Sequence, residues 1–126
     1  MLHDASVLKY SVDLENECIY MVLDTGEDYT KLAFEGVMAS WFGYIILGNA
    51  IYDLSIIGVE TFININEDVL LLGKGDGWPI DYKSFDELKQ KLERNDYKIY
   101  NFEGSYGIAG WIIAKEMKII GLKDNK

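Results

Sequence analysis

Apolar residues in the first third of the chain recur with the two-residue period of β-strands. The first run predicts a half-buried strand whose apolar face lies on the core: Leu8, Tyr10, Val12 and Leu14. A continuous apolar run at 18–23 and another apolar stretch at 29–37 predict two more strands. The polar residues at 15–17 and 24–28 predict the turns between them, so these strands form an antiparallel meander.

The middle of the chain has a less regular pattern. Residues 38–48 are apolar without a clear period, which leaves both a short helix and an irregular strand open. Residues 51–59 predict a fourth strand, 61–65 either extend it or begin a fifth, and 69–72 predict a short buried strand. The glycines of residues 73–79 predict a loop.

One segment, residues 84–94, has the pattern of a helix. Ser84 and Glu87 are spaced as a capping box. In this motif the Ser84 hydroxyl accepts a hydrogen bond from the Glu87 amide, and the Glu87 carboxylate accepts one from the Ser84 amide. Leu88 and Leu92 lie on one stripe of this helix. Acidic residues near its beginning and Arg94 near its end suit the helix dipole.

The last third of the chain, residues 97–122, contains three runs rich in β-branched and aromatic residues. Breaks at 104–107 and 115–116 separate them, which predicts a second three-stranded meander. Residues 1–126 are therefore predicted to form a single α+β domain that is mainly β. Its seven to eight strands form an antiparallel curled sheet or a two-layer β-sandwich, with one helix.

Composition excludes several classes of protein. With 126 residues, 49% of them hydrophobic, the chain is long enough for a real core and too apolar to be disordered. Its single cysteine, Cys18, excludes an internal disulfide. The first residues lack the pattern of a signal peptide, and no apolar run approaches the length of a membrane span. We expect a cytoplasmic protein.

The net charge of −9 is unevenly distributed along the chain. Residues 1–63 carry ten acidic and two basic residues, net −8, whereas residues 64–126 carry eleven acidic and ten basic residues, net −1. Such a charge repels nucleic acid and anionic membranes and attracts a basic partner. We therefore expect no nucleic-acid or membrane partner.

No group of residues has the spacing of a catalytic or metal site. His3 is the only histidine, which excludes a site built on several imidazoles. The glycines at 73, 75 and 77 lack the spacing of a dinucleotide fingerprint, and Lys74 is not followed by the Ser or Thr of a P-loop. The sequence thus predicts no catalytic residue, no metal and no cofactor.

Four segments together resemble a group of small, largely uncharacterised bacterial proteins of Firmicutes, often from toxin–immunity neighbourhoods. They are residues 2–5 (Leu-His-Asp-Ala), 32–37 (Leu-Ala-Phe-Glu-Gly-Val), 104–108 (Gly-Ser-Tyr-Gly-Ile) and 111–115 (Trp-Ile-Ile-Ala-Lys). Residues 73–76 (Gly-Lys-Gly-Asp) are also similar to the glycine-aspartate turn of SMI1/KNR4-type immunity proteins, whose helix-rich beginning this chain lacks. The resemblance implies a non-catalytic binding protein that neutralises a partner toxin.

The leading hypothesis is a protein-binding module of the immunity type, not an enzyme, which occludes the basic site of a toxin. Complementary charge speeds such an encounter, and buried aromatic side chains slow release. The residues predicted to bind the partner are the acidic residues of the first meander and two tryptophans: Asp13, Glu15, Glu17, Asp24, Glu27, Asp28, Trp41 and Trp78.

Two alternatives come from other classes. The first is a small-ligand-binding domain or an unrecognised enzyme, with a pocket in the mouth of the sheet near Trp78, Tyr106 and Trp111. The second is a homo-oligomer that assembles through an exposed edge strand. Convergent carboxylates in a deep pocket would favour the first, and a concentration-dependent mass the second.

Overall fold

The computed structural model describes residues 5–43, 50–106 and 109–122. Within them the chain forms eight strands and three helices. In chain order these are β1 (Ser6–Asp13), β2 (Cys18–Asp24), β3 (Tyr29–Glu35), β4 (Ala39–Phe42), β5 (Ala50–Ile57), α1 (Val59–Ile65), α2 (Glu67–Lys74), α3 (Phe85–Arg94), β6 (Lys98–Tyr106), β7 (Gly110–Ala114) and β8 (Glu116–Leu122).

The strands form two antiparallel sheets of four, which confirms the predicted α+β, mainly β class. The first sheet has the order β1-β2-β3-β8 and the second the order β4-β7-β6-β5. The first meander, β1 to β3, is present as predicted. The predicted helix at 84–94 is confirmed as α3, and the Ser84 hydroxyl accepts from the Glu87 amide at 3.2 Å.

The first core fills the space between the two sheets. Inward-facing side chains of β2 and β3, including Met21 and Phe34, are fully buried there. Phe34 packs edge-on against Tyr100 of the second sheet, with 5.2 Å between ring centroids. Such aromatic contacts add to the free energy gained by burying the rings.

The second core lies between the other face of the second sheet and the helices. Strand β7 is buried along its whole length because it is covered on both faces. Trp111 packs edge-on against Phe62 of α1, and its indole N–H donates to the buried side chain of Asn66 at 3.2 Å. The molecule therefore has three layers: sheet, sheet and helices.

The strands predicted at 61–65 and 69–72 are wrong, because these residues belong to α1 and α2. Both apolar runs are too short for the sequence alone to separate a helical period from a strand. Burial shows the helical spacing: Leu70 is buried, whereas the adjacent Leu71 and Leu72 are exposed. The residues predicted as a loop at 73–79 begin inside α2, which ends at Lys74.

The predicted burial of the apolar residues of β1 is also wrong. Tyr10 and Val12 lie opposite the buried Met21 and Ile19, so they do face inward. However, β1 is an edge strand, and Leu8, Tyr10, Val12 and Leu14 are 50%, 36%, 46% and 85% exposed. A register shift between Val7 and Lys9 displaces Leu8, and Val7 and Ala5 pack against the core instead.

The second predicted meander is only partly present. Strands β6 and β7 pair as expected, but β8 pairs with β3 of the other sheet. The change of sheet occurs at Lys115, whose amide donates to the carbonyls of Glu35 and Gly36. Of the ambiguous stretch 38–48, residues 39–42 form a strand, and residues 44–49 lie outside the described residues.

Candidate functional site

A cleft of about 510 Å³ opens at the end of the first sheet where β1 turns into β2. We call it the hairpin cleft. It combines residues of the β1–β2 hairpin with the beginning of β4 and two residues near α3: Val12, Asp13, Leu14, Glu17, Cys18, Ile19, Val37, Met38, Ala39, Ser40, Ile80 and Tyr97. Its volume lies in the range of clefts that hold ligands or anchoring side chains of a partner.

Backbone contacts between the hairpin and the crossing from β3 to β4 fix the shape of this cleft. The Val37 amide donates to the Glu17 carbonyl at 2.9 Å. Glu17 itself has a left-handed backbone, with φ of 55°, and Gly36 has φ of 64°. A side chain at Gly36 would meet Lys115, because a Cβ built there lies 2.6 Å from the Lys115 Cγ. The two crossings between the sheets therefore pack against each other beside the cleft.

The β1–β2 turn holds its carboxylates in a defined geometry. The Asp13 carboxylate accepts from the Asn16 side chain at 2.8 Å and from the Asn16 amide at 3.1 Å. These two hydrogen bonds, the side-chain bond above all, lower the pKa of Asp13 from its ordinary value because they favour the charged form. The Cys18 thiol donates to the Asn16 carbonyl at 3.3 Å. The cleft therefore has a negative charge that is fixed in position at neutral pH.

Most of the residues that line the cleft are apolar, but polar atoms form nearly half of its surface. Ile19 is buried in the first core, whereas Ile80 and Tyr97 belong to the edge of the second core. The Lys115 ammonium lies 4.2 Å from the centroid of the Tyr97 ring and is hydrogen-bonded to the Asn95 carbonyl. Leu14 stands at the mouth with 85% of its surface exposed. The cleft therefore combines apolar and charged side chains, as protein interfaces do.

The structure divides the six predicted acidic residues between the two ends of the first sheet. Asp13, Glu15 and Glu17 lie at the β1–β2 turn, where Asp13 and Glu17 line the cleft. Asp24, Glu27 and Asp28 lie at the β2–β3 turn, one strand length away. Because β2 has seven residues, roughly 20 Å separates the two groups. The six residues therefore do not form one continuous patch.

The predicted aromatic residues lie on the helical side of the second sheet. Trp41 is 38% exposed and pairs across β4 and β7 with Trp111. Trp78 packs against Trp111 with 5.3 Å between ring centroids, and Trp111 is 1% exposed. Trp78 and Trp111 thus fill the second core, and neither lines the hairpin cleft. The Tyr106 side chain lies outside the part of the chain that the structure describes.

Sequence reasoning missed most of the cleft walls. Val37 ends the third predicted strand, and Met38, Ala39 and Ser40 begin the stretch with no clear period. Ile80 follows the predicted loop, and Tyr97 begins the second predicted meander, so nothing in the sequence brings these residues together. The usable signals were the acidic residues Asp13 and Glu17 and, between them, Leu14, an apolar residue at the beginning of a polar turn. Cys18 is 8% exposed and is also part of the cleft lining.

Among residues 5–43, 50–106 and 109–122, no group of three His, Cys, Asp or Glu side chains is placed to hold a metal ion. No helix in these ranges is long and apolar enough to cross a membrane. Comparison of the chain with protein-family models, with curated proteins and with solved structures found no match.

Proposed function

We propose that this protein is a non-catalytic binding module that holds a basic segment of a partner protein in the hairpin cleft. The observation that carries the proposal is that apolar walls and the carboxylates of Asp13 and Glu17 line the same cleft. Neutralisation of a toxin, which the sequence resemblance implies, is one role that such a module would perform.

Charge supports the choice of a basic partner. The protein carries a net charge of −9, so a positively charged partner is attracted from a distance. At the cleft itself, the exposed Glu17 is part of the lining together with apolar residues, and Glu15 is exposed in the same turn. Rim charges act mainly on the rate of association, and desolvated apolar contacts act mainly on dissociation. A segment that carries both lysines and apolar residues satisfies both parts of the site.

The fixed shape of the cleft also supports binding. The Asn16 hydrogen bonds to Asp13 and the bond from Val37 to Glu17 hold the hairpin in one conformation. A site that is ordered before binding loses less conformational entropy when the partner arrives.

The test uses a synthetic peptide, Lys-Lys-Ile-Val-Ile-Lys-Lys, and its counterpart in which glutamate replaces every lysine. Affinity is measured by isothermal titration at low and at physiological salt for the wild type and for two double variants. The first variant, Glu15→Lys with Glu17→Lys, reverses charge beside the cleft. The second, Glu27→Lys with Asp28→Lys, makes the same change in net charge at the opposite end of the sheet and is the matched control.

We expect the basic peptide to bind and the acidic one not to bind. The first variant should lose about tenfold in affinity and show a weaker salt dependence, since each exposed charge contributes up to about 1 kcal/mol and reversal adds repulsion. The control should change less than about threefold. Equal losses in both variants would mean that net charge alone drives binding, and failure of the basic peptide to bind would overturn the proposed function.

A further inference from the structure

Two consecutive residues of β4, Ala39 and Ser40, line the hairpin cleft, together with Val37 and Met38 just before the strand. Successive side chains of a strand point to opposite faces of the sheet. Ala39 pairs opposite Ile113 on the helical side, whereas Ser40 pairs opposite Ile112 on the side of the first core. A cleft lined by both therefore borders the edge of β4 at the beginning of the strand.

Strand β4 is an edge strand that is paired only on one side. In the described part of the chain it pairs with β7 and with no other strand. An edge presents backbone N–H and C=O groups that another polypeptide can pair with, and proteins usually protect such edges with bulges, charges or proline.

The other three edge strands have such protection, and β4 does not. Strands β1 and β5 carry register shifts, between Val7 and Lys9 and between Ala50 and Asp53. Strand β8 contains Glu116 and Lys118, which are joined by an ion pair. Strand β4 reads Ala-Ser-Trp-Phe, has no charged residue and pairs without a register shift.

We infer that the partner segment binds as an added β-strand along β4, which extends the second sheet from four strands to five. This inference rests on the proposed function and names its binding mode. Main-chain hydrogen bonds to β4 would supply affinity, and the side chains of the added strand would supply specificity. The occupant is an extended, basic segment of the partner, because the cleft that borders this edge carries Asp13 and Glu17.

The two walls of the cleft suit the alternating side chains of such a strand. One set would point toward Val12 and Ile19 on the side of the first core. The other set would point toward Ile80 and Tyr97 on the side of the helices. Both walls are apolar, so the central residues of the segment should be β-branched or otherwise apolar, with lysine or arginine at the ends. Four residues of β4 span roughly 13 Å, which limits the paired stretch to about four residues.

The experiment replaces each backbone amide of the Lys-Lys-Ile-Val-Ile-Lys-Lys peptide in turn by an ester, which removes one N–H donor and leaves the side chains unchanged. Affinities are measured for the wild type and for the Glu15→Lys/Glu17→Lys variant. In parallel, amide exchange of residues 39–42 is followed by NMR with and without the unmodified peptide. No substitution is made in β4, so the folding of the protein is not at risk.

If the peptide adds as a strand, esters at alternate positions should each lower affinity about fivefold, as expected for one backbone hydrogen bond, and esters between them should have no effect. Some amides in residues 39–42 should also exchange more slowly when the peptide is bound.

Three results would overturn the inference. Uniform insensitivity to the esters, with the charge-reversal variant still weakened, would show side-chain docking without strand addition and leave the proposed function intact. Full protection of residues 39–42 in the free protein would show that the chain itself already covers this edge. Absence of any peptide binding would remove the proposed function and this inference together.

Discussion

The two turns of the first meander have similar compositions and different surroundings. Each carries three acidic residues: Asp13, Glu15 and Glu17 at the β1–β2 turn, and Asp24, Glu27 and Asp28 at the β2–β3 turn. The first turn lies against the crossing from β3 to β4 and borders an apolar cleft. The second is closed by its own residues, with Thr25 bonded to the Asp28 carbonyl and the Gly26 amide donating to Asp24.

This difference shows that acidic composition alone does not identify a binding surface. An exposed carboxylate in water contributes little to affinity, whereas one beside an apolar wall combines charge with area that is lost from water on binding. At the β1–β2 turn the wall is supplied by residues distant in sequence, such as Ile80 and Tyr97. The two turns should therefore differ in how substitutions change the free energy of unfolding, the affinity for the basic peptide and the pH dependence of unfolding.

The largest effect is expected from the glycines at the two ends of the sheet. Gly36 and Gly26 both have positive φ, of 64° and 98°, so alanine costs about 1–2 kcal/mol at either position. A Cβ at Gly36 also meets Lys115, whereas a Cβ at Gly26 meets nothing within 4 Å. Gly36→Ala should therefore lower the free energy of unfolding by about 2–4 kcal/mol and Gly26→Ala by about 1–2 kcal/mol, as measured by urea denaturation. Equal losses would show that the crossing beside the cleft is not crowded.

A smaller effect, on affinity, is expected from Leu14. This apolar residue belongs to the β1–β2 turn, and the β2–β3 turn has no counterpart to it. Leu14 is 85% exposed at the mouth of the cleft, and Leu72, 84% exposed on α2, is a matched control. Burial of a leucine side chain contributes about 1.5–3 kcal/mol, so Leu14→Ala should weaken binding of the basic peptide at least tenfold. Leu72→Ala should leave the affinity unchanged, and neither variant should alter the midpoint of urea unfolding. A loss of affinity in both variants would contradict the assignment of the site to the cleft.

The smallest effect is expected from pH. The folded-state pKa of Asp13 is lowered by the Asn16 hydrogen bonds, so the stability that this carboxylate contributes is present above its ordinary pKa of 3.8. That contribution is lost as the pH falls from 3.8 to below the lowered pKa of Asp13 in the folded protein. Asp13→Asn should therefore remove a small part of the acid sensitivity of unfolding, measured as urea midpoints between about pH 5 and pH 2, and Glu27→Gln is the control. An acid profile unchanged by Asp13→Asn would mean that these hydrogen bonds do not persist in solution.

The sequence predicted the parts of the fold that depend on local signals. The β1–β3 meander follows from alternation and polar turns, and α3 follows from the Ser84 capping box. Residues 61–65 and 69–72 were mistaken for strands because a segment of four or five residues rich in apolar side chains fits either period. Only the carboxylates of the candidate site could be predicted from the sequence. Its apolar lining forms only when folding brings β4, Ile80 and Tyr97 together.

The pairing of β8 with β3 could not be predicted from the local sequence pattern, for a different reason. In the sequence a two-residue break at 115–116 separates two apolar runs, and two-residue connections favour a hairpin. Here the Lys115 amide is bound by Glu35 and Gly36, residues about 80 positions earlier, so the chain passes to the other sheet. Only a long-range contact decides between these outcomes.

The position of β8 also determines when the first sheet can be completed during synthesis. Strands β1, β2 and β3 are synthesised one after another, but the fourth strand of their sheet, Glu116–Leu122, follows β3 only after 80 intervening residues. Until then β3 has an open edge and the first core lacks Met117. Such late pairing of distant strands slows folding and exposes a nascent edge to other chains. A ribosome stalled before residue 116 would therefore carry a chain in which β8 has not yet paired with β3, so the crossing from β7 to β8 at Lys115 does not yet join the two sheets.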